Sequence, residues 1–270
     1  MIIRKIFTLL IIFSFYAVSA WSQSVDDIIK KHIEALGGLK KIEAIKTLKI
    51  TGTTTRGGGN FSFESDFTRY IKQPNMVRNE TEMRGNLIVQ AYDGKTAWAI
   101  IPFRSEDPEE MTGPQAQSII GLAEIGSPLV NYKDKGFKVE LQGKEEFEGT
   151  EVYKLKVTGK DGETFISYLD SEYYVEIKRV AQRVGREGNT VEIESLFSDF
   201  KPVDGVMMPH SITTKGGGGF GGRGGGRGGR GGRGGRGGRG GRGGGSSEIT
   251  IKKYEVNVEL DDKIFKMPGK

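Results

Sequence analysis

The chain has no cysteine and only two histidines among its 270 residues. The lack of cysteine excludes disulfide bonds, and it leaves no thiol near the N-terminus that could accept a lipid anchor. Without thiols, a zinc site would need carboxylates to complete it. His32 and His210 are far apart in the sequence, and each is better explained as a packed or surface side chain. The sequence therefore predicts no metal site and no cofactor.

Sequence motifs of the common enzyme classes are absent as well. The chain contains no nucleophile-elbow motif, no HExxH zinc motif and no P-loop. Three acidic residues, Asp107, Glu109 and Glu110, surround Pro108, which is typical of a solvated loop. Because no residue pattern indicates catalysis, we predict that the protein is not an enzyme.

The chain also lacks an apolar run long enough to span a membrane. The uncharged run Ile6–Val18 has 13 residues, whereas a transmembrane helix needs about 20. Arg4 and Lys5 precede this run, and small residues at positions 18–20 suit a signal peptidase. Residues 1–20 are therefore predicted to be a secretory signal peptide cleaved near Ala20; the alternative is an uncleaved anchor. We expect a periplasmic protein that could associate peripherally with the outer membrane.

The period of the apolar residues changes from helical to extended near the start of the mature chain. Between Val25 and Leu36 apolar side chains recur every three or four positions, which predicts an amphipathic helix. Ser24 is a suitable N-cap for it, and Gly37–Gly38 is a suitable end. From Leu48 onward the period is two, which predicts about ten or eleven strands in an antiparallel meander.

Two irregularities interrupt this alternation. Between Ser105 and Lys135 it stops, and we interpret this stretch as a loop that carries one or two short helices. Near Lys252 and Lys253 the apolar positions change from odd to even numbers, which predicts a β-bulge. The expected fold is mainly β with α, as a single domain over residues 21–268. It is a curved antiparallel half-barrel wrapped around the N-terminal helix and the mid-chain helical insertion.

Residues 216–245 differ in composition from the rest of the chain. They contain 22 glycines and seven arginines but only one large apolar residue, Phe220. So little apolar area cannot offset the entropy lost on ordering the backbone, so we predict a disordered Gly/Arg-rich loop inserted in the last hairpin. Without these arginines, Arg4 and Lys5, the formal charge falls from +5 to −4. The arginines, candidates for binding an anionic surface, are Arg223, Arg227, Arg230, Arg233, Arg236, Arg239 and Arg242.

Apolar side chains are frequent in the helical insertion and in the strands next to it. Ordinary core packing explains such residues. A helical lid over a curled sheet would also enclose a space suited to acyl chains, so these residues are candidates for a ligand cavity. They are Trp98, Ile100, Phe103, Met111, Ile119, Ile120, Leu122, Ile125 and Leu129.

Six segments of the chain form a recognisable set, which consists of Ile28–Gly38, Lys46–Gly52, Tyr168–Glu172, Glu176–Arg179, Phe200–Ile212 and Val256–Pro268. Together they resemble the outer-membrane lipoprotein-sorting proteins of the LolA/LolB-like superfamily. The resemblance implies a periplasmic half-barrel of antiparallel strands whose concave side is filled by helices. It also implies that the protein carries or senses a lipid or lipoprotein acyl chain without catalysis.

Three functions remain open on the sequence alone. The leading hypothesis is a monomeric periplasmic carrier of lipid or lipoprotein acyl chains. The second is an envelope adaptor whose arginine tract binds lipopolysaccharide, phospholipid headgroups or polysaccharide, with the half-barrel as a scaffold. RNA binding would suit the tract in a cytosolic protein, but export removes most RNA from its reach, so nucleic acid is the least favoured partner.

Overall fold

The structure, a computed structural model, describes residues 23–58, 61–160, 162–184, 190–216 and 246–269. The predicted signal peptide and residues 217–245 of the Gly/Arg-rich tract lie outside these ranges. The fold below is therefore that of the helices and strands between Gln23 and Gly269.

The strands of the described chain form one antiparallel sheet, which is curved and not closed into a barrel. They are β1 Thr47–Gly58, β2 Phe61–Lys72, β3 Met76–Met83, β4 Asn86–Tyr92, β5 Ala97–Ile101, β6 Ser105–Glu110, β7 Lys138–Phe147, β8 Thr150–Thr158, β9 Thr164–Asp170, β10 Glu176–Val184, β11 Thr190–Val203, β12 Val206–Lys215 and β13 Ser246–Val256. The order across the sheet is β6-β5-β4-β3-β2-β1-β13-β12-β11-β10-β9-β8-β7. The predicted meander and curved half-barrel are confirmed.

The sheet has thirteen strands in the described residues, rather than the ten or eleven predicted. One strand that the sequence did not reveal is β6, which lies in the stretch interpreted as a loop. Its residues are mostly polar, because it is an edge strand that is hydrogen-bonded to β5 alone. An edge strand also tolerates Pro108, which cannot donate a backbone hydrogen bond.

The helices are α1 Val25–Ala35, α2 Leu39–Ala44 and α3 Gly113–Ile120, and α3 continues into a 3₁₀ turn at Gly121–Ala123. The predicted cap of α1 is confirmed, since the Asp27 backbone N–H donates to Ser24 Oγ at 3.1 Å. Gly37 follows α1 with a φ of 109°. A Cβ there would lie 2.1 Å from the carbonyl oxygen of Gly205, so glycine lets the helix end meet the β11–β12 turn. No helix in the described ranges is long and apolar enough to cross a membrane.

The helices cover one face of the sheet, which we call the inner face. Ile42 of α2 and Ile119 of α3 belong to the same buried core as Leu48 of β1. On the other half of the sheet, Ile28 of α1 packs with Leu155 of β8. The predicted arrangement, in which strands wrap around an N-terminal helix and a mid-chain helical insertion, is confirmed.

A β-bulge lies at the predicted position on β13. Thr51 is opposite Lys253 whereas Gly52 is opposite Ile251, so Lys252 is the extra residue. Because a bulge changes the phase of the strand, Ile251 and Tyr254 both lie on the inner face although one number is odd and the other even.

The C-terminal segment 257–269, which we call the strap, crosses the opposite, outer face. It contains a 3₁₀ turn at Asp262–Ile264 and the fully buried Phe265. The indole Nε1 of Trp98 donates to the carbonyl oxygen of Phe265 at 2.8 Å, and Met267 packs against the Trp98 cluster. The strap therefore gives β5 a cover on the side that the helices do not reach.

Candidate functional site

The inner face can be followed row by row, because residues in register on neighbouring strands point to the same side. The row nearest the helices is apolar and runs from β1 to β5. Its members are Leu48, Ile71, Val77, Tyr92 and Ala97. All except Tyr92 are buried in the core that contains Ile119 of α3, so the helices cover this row and leave no space there for a ligand.

The next row on the same face is largely polar. It consists of Ile50, Arg69, Asn79, Gln90 and Ala99, again in register on β1 to β5. A charged side chain on the inner face of a sheet loses part of its hydration. This loss costs free energy unless a hydrogen-bonding or oppositely charged partner replaces the lost water. The partners of Arg69 therefore show whether its charge is balanced within the chain.

Arg69 has few partners in the described part of the chain. Its Nε donates to Asn79 Oδ1 at 3.2 Å, and its Cζ lies 5.5 Å from the centre of the Phe67 ring. No described carboxylate pairs with it, and its Nη1 and Nη2 groups donate to no described residue but keep contact with solvent. Burial lowers the pKa of Arg69 to about 10, so the guanidinium stays positively charged at neutral pH.

Tyr254 lies beside Ile50 on the same face and completes the surroundings of Arg69. Its hydroxyl donates to the carbonyl oxygen of Pro209 at 2.6 Å, and its ring meets the edge of the His210 ring at a centroid distance of 5.1 Å. Burial raises the pKa of Tyr254, an effect that the nearby positive charge of Arg69 opposes. The phenol is therefore neutral and cannot serve as the missing counter-charge.

The third row is apolar but only partly covered. Gly52, Phe67 and Thr81 are in register, with Ile88 beside Thr81 and Ile251 beside Gly52. A Cβ at Gly52 would lie 2.8 Å from the Phe67 ring, so the glycine leaves room for that ring on the inner face. Phe67 and Ile251 are buried, whereas Thr81 and Ile88 keep partial solvent contact.

Further apolar side chains of the inner face are also only half-buried. Ile249, Ile212 and Phe197 are in register on β13, β12 and β11, and Ile101 lies on β5. On β2, Ser65 has the one buried side-chain oxygen or nitrogen without a hydrogen-bond partner in the described chain. We call the partly exposed part of this face the open inner surface. Its residues are Arg69, Thr81, Ile88, Ile101, Phe197, Ile212 and Ile249, and the buried Asn79 lies between Arg69 and Thr81.

A second arginine, Arg179 on β10, lies on the inner face of the other half of the sheet. Its Nε donates to Glu176 Oε1 at 2.9 Å, and its Nη2 donates to the second oxygen of the same carboxylate. Ser167 Oγ also donates to Glu176 Oε1, at 2.7 Å. The charge of Arg179 is thus balanced within the chain, whereas that of Arg69 is not.

His32, one of the two histidines, is a packed side chain of α1. Its ring is 1% exposed, with Nδ1 donating to the carbonyl oxygen of Tyr174 at 2.6 Å and Nε2 2.9 Å from Ser127 Oγ. Burial lowers the pKa of His32. Among the described residues, no three His, Asp or Glu side chains gather in a way that could hold a metal ion.

The nine residues predicted to line a cavity do not form a single cluster. Met111, Ile119, Leu122 and Ile125 join the core between α2, α3 and the sheet. Leu129 packs in the second core, which contains α1. These five residues therefore surround the helices rather than the open inner surface.

The remaining four predicted cavity residues lie elsewhere. Trp98 and Ile100 are on the outer face, in the cluster that the strap covers. Phe103 is 54% exposed in the turn after β5, and Ile120 is partly buried at the end of α3. The cavity itself stays a prediction.

Sequence reasoning overlooked Arg69 and its neighbour Asn79. Both alternate with residues of the opposite face, and Arg69 has the same parity as Phe67 and Ile71, which are core residues. A charged residue at a strand position that otherwise alternates with the inner, apolar residues is the sequence signal that marks Arg69.

A separate groove of about 520 Å³ lies on the outside of the helical layer. It runs between α1 and the segment after Ser127. Its apolar floor includes Ile29 and Leu129, and its rim carries the ion pair between Asp26 and Lys133, whose Nζ is 2.9 Å from Asp26 Oδ1. Hydrogen bonds from Tyr132 and Lys133 lower the pKa of Asp26.

The seven arginines predicted to bind an anionic surface, Arg223 to Arg242, lie outside the described residues. The strands on either side of their tract are described. Thr214 of β12 is in register with Ser247 of β13, so the sheet holds the chain on both sides of the tract.

No family model matches this sequence, and no curated protein matches it either. Solved structures, in contrast, resemble it over most of its length. A DUF1329 family protein from Desulfovibrio piger aligns with a TM-score of 0.58 at 13% identity, and the alignment covers 90% of this chain and 97% of that chain.

Two further structures carry names from the predicted superfamily. A putative outer membrane lipoprotein-sorting protein domain from Vibrio parahaemolyticus has a TM-score of 0.56 at 13% identity, with 88% of this chain and 94% of that chain covered. A LolA superfamily protein from Nitrosomonas europaea has a TM-score of 0.56 at 14% identity, with 86% and 96% covered. The chain has the LolA-like fold. The predicted resemblance is confirmed at the level of the fold.

Proposed function

We propose that the protein is a non-catalytic carrier or binding protein for lipid or lipoprotein acyl chains, exported to the periplasm. The observation that carries this proposal is the open inner surface. Ile88, Ile101 and Phe197 lie on the helix-facing side of the sheet, yet they are only half-buried and belong to no buried cluster. Apolar groups that the chain's own core leaves incompletely covered are suited to contact a hydrocarbon chain.

The fold supports the same proposal, because two of the similar structures are named for lipoprotein sorting or for the LolA superfamily. A fold hosts many functions, so the proposal depends on the site and not on the likeness alone.

Native mass spectrometry of the mature chain purified from a periplasmic fraction, followed by lipid extraction, tests the proposal. We expect one bound lipid per chain. A Thr81→Trp variant should lose that lipid, because the indole would occupy the open inner surface next to Phe67. The matched control is Thr250→Trp, since Thr250 is an exposed residue of β13 on the outer face.

Two results would contradict the proposal. One is a lipid-free parent protein that also takes up no lipid when mixed with periplasmic lipid extract. The other is equal lipid occupancy in the Thr81→Trp and Thr250→Trp variants, which would place the lipid away from this surface.

We propose the envelope-adaptor function as the second candidate, because the paired strands β12 and β13 flank the seven-arginine tract in the sequence. It predicts binding to lipopolysaccharide or anionic vesicles that weakens with salt and disappears when residues 217–245 are deleted. Anionic-vesicle binding that survives this deletion would rule the tract out as the binding element.

A further inference from the structure

The inner face carries two arginines that differ in their partners. Arg179 has a bidentate carboxylate partner in Glu176, which is itself 7% exposed. Within the described chain, the Arg69 side chain makes a single hydrogen bond, from Nε to the neutral side chain of Asn79. A guanidinium that is only partly exposed to water and has no counter-charge is destabilising, so the packing of the described chain does not explain the position of Arg69.

The surroundings of Arg69 leave its terminal nitrogens available. Asn79 fixes Nε, and the Asn79 amide nitrogen donates in turn to Thr81 Oγ1 at 3.2 Å. The Nη1 and Nη2 groups have no partner in the described chain and keep contact with solvent. These groups form the planar fork that binds a carboxylate or a phosphate through two parallel hydrogen bonds.

The neighbours of this fork are apolar or neutral. Phe67 lies beneath the guanidinium, the phenol of Tyr254 is neutral, and Thr81 and Ile88 continue the surface along the strands. One cation at the edge of an apolar surface is complementary to a molecule with one anionic group and one hydrocarbon chain.

We propose that Arg69 binds the anionic headgroup, a carboxylate or a phosphate, of an amphiphile whose acyl chain lies along the open inner surface. The inference rests on the proposed lipid-binding function and adds the chemical class of the ligand. Asn79 acts as a positioning residue, because it holds the guanidinium through Nε without using the Nη groups.

Calorimetric titration of the delipidated mature protein with paired amphiphiles tests this inference. The pairs are palmitate with hexadecanol, and a palmitoyl lysophosphatidate with the corresponding monoacylglycerol. We expect at least one anionic member to bind about tenfold more tightly than its neutral counterpart, because charge-assisted hydrogen bonds are stronger than neutral ones. The pair with the larger preference identifies the headgroup as carboxylate or phosphate.

Arg69→Met should lose the preference for the anionic member and keep the affinity for the neutral one. The control Lys252→Met removes an equal charge from an exposed side chain paired with Asp66, and it should keep the preference. Arg69→Lys retains the charge without the fork, so part of the preference should remain. The melting temperature of Arg69→Met should equal or exceed that of the parent, whereas a purely structural arginine would lower it.

The outcomes separate this inference from the proposed function. Equal affinities of the parent for neutral and anionic amphiphiles, with clear binding of both, would overturn the role of Arg69 and leave lipid binding intact. An unchanged preference in Arg69→Met would overturn it as well. Binding of none of the four amphiphiles would overturn the proposed function together with the inference.

Discussion

At the scale of single residues, the inner face shows how one amino-acid type serves two purposes. Arg179 and Glu176 balance each other's charge, and removing one partner of this partly buried pair would destabilise the fold, because it leaves the other charge without a partner. Arg69 already lacks a carboxylate partner in the described chain, so the same type of side chain is available to an external group. The two arginines differ because a carboxylate, Glu176, lies beside Arg179, whereas a neutral amide, Asn79, lies beside Arg69.

His32 is the residue whose ionisation should affect stability near neutral pH. Its pKa is lowered from 6.5 by burial, so below that pH the unfolded chain binds a proton that the folded chain resists. The free energy of unfolding should therefore fall as the pH is lowered through 6.5, by up to about 1.4 kcal/mol per pH unit until the folded-state pKa is reached.

Urea denaturation of the parent and of His32→Gln from about pH 8 to about pH 5 measures this contribution. Glutamine can keep hydrogen bonds to Tyr174 and Ser127 without titrating. The parent should lose more stability than the variant over this range. Equal losses in both proteins would show that protonation of His32 has no part in acid sensitivity.

At the scale of elements, the strap buries the outer face of β5. All five residues of this strand are apolar, because helices cover its inner face and the strap covers its outer face. A strand that is covered on both sides has no polar residues to mark its faces. The strap should accordingly be a major contributor to stability.

Replacing the buried Phe265 with alanine tests this contribution. The loss of a fully buried ring should lower the free energy of unfolding by about 3–5 kcal/mol, measured by urea denaturation. The matched control is Phe103→Ala, because Phe103 is 54% exposed and its loss should cost less than about 0.5 kcal/mol. Similar losses in both variants would mean that the strap only rests on the sheet.

The same elements explain what the sequence could and could not predict. Helix α1 was predictable because its cap, its apolar period and its glycine end agree. The sequence does not show that Trp98 faces the strap, because all five residues of β5 are apolar and the strap is distant from β5 along the chain. Strand β6 was missed because an edge strand made of polar residues has no alternation.

At the scale of the whole molecule, we expect the sheet to fold without the Gly/Arg-rich tract, because lengthening a loop costs little free energy. The curved meander, the bulge at Lys252 and the helical insertion follow from the alternation pattern, and the structure confirms them. The open inner surface could not be predicted in the same way, because it depends on which rows the helices reach.

Deleting residues 217–245 and joining the strands with a short turn should leave the fold intact. The free energy of unfolding should stay equal or rise by up to about 2 kcal/mol, since a shorter loop loses less entropy on closure. Circular dichroism during urea denaturation of both proteins provides the comparison. A large loss of stability would show that the tract packs on the sheet.

The pairing of β1 with β13 has a consequence for how the protein is made. Leu48 of β1 pairs with Val256 of β13, about 200 residues later in the sequence, and this pair lies at the middle of the sheet. During synthesis, strands β1 to β6 and strands β7 to β12 can begin to pair within each set. The two sets can join only after β13 has been synthesised. The nascent chain therefore cannot complete its sheet before β13 has been synthesised and is free to pair with β1.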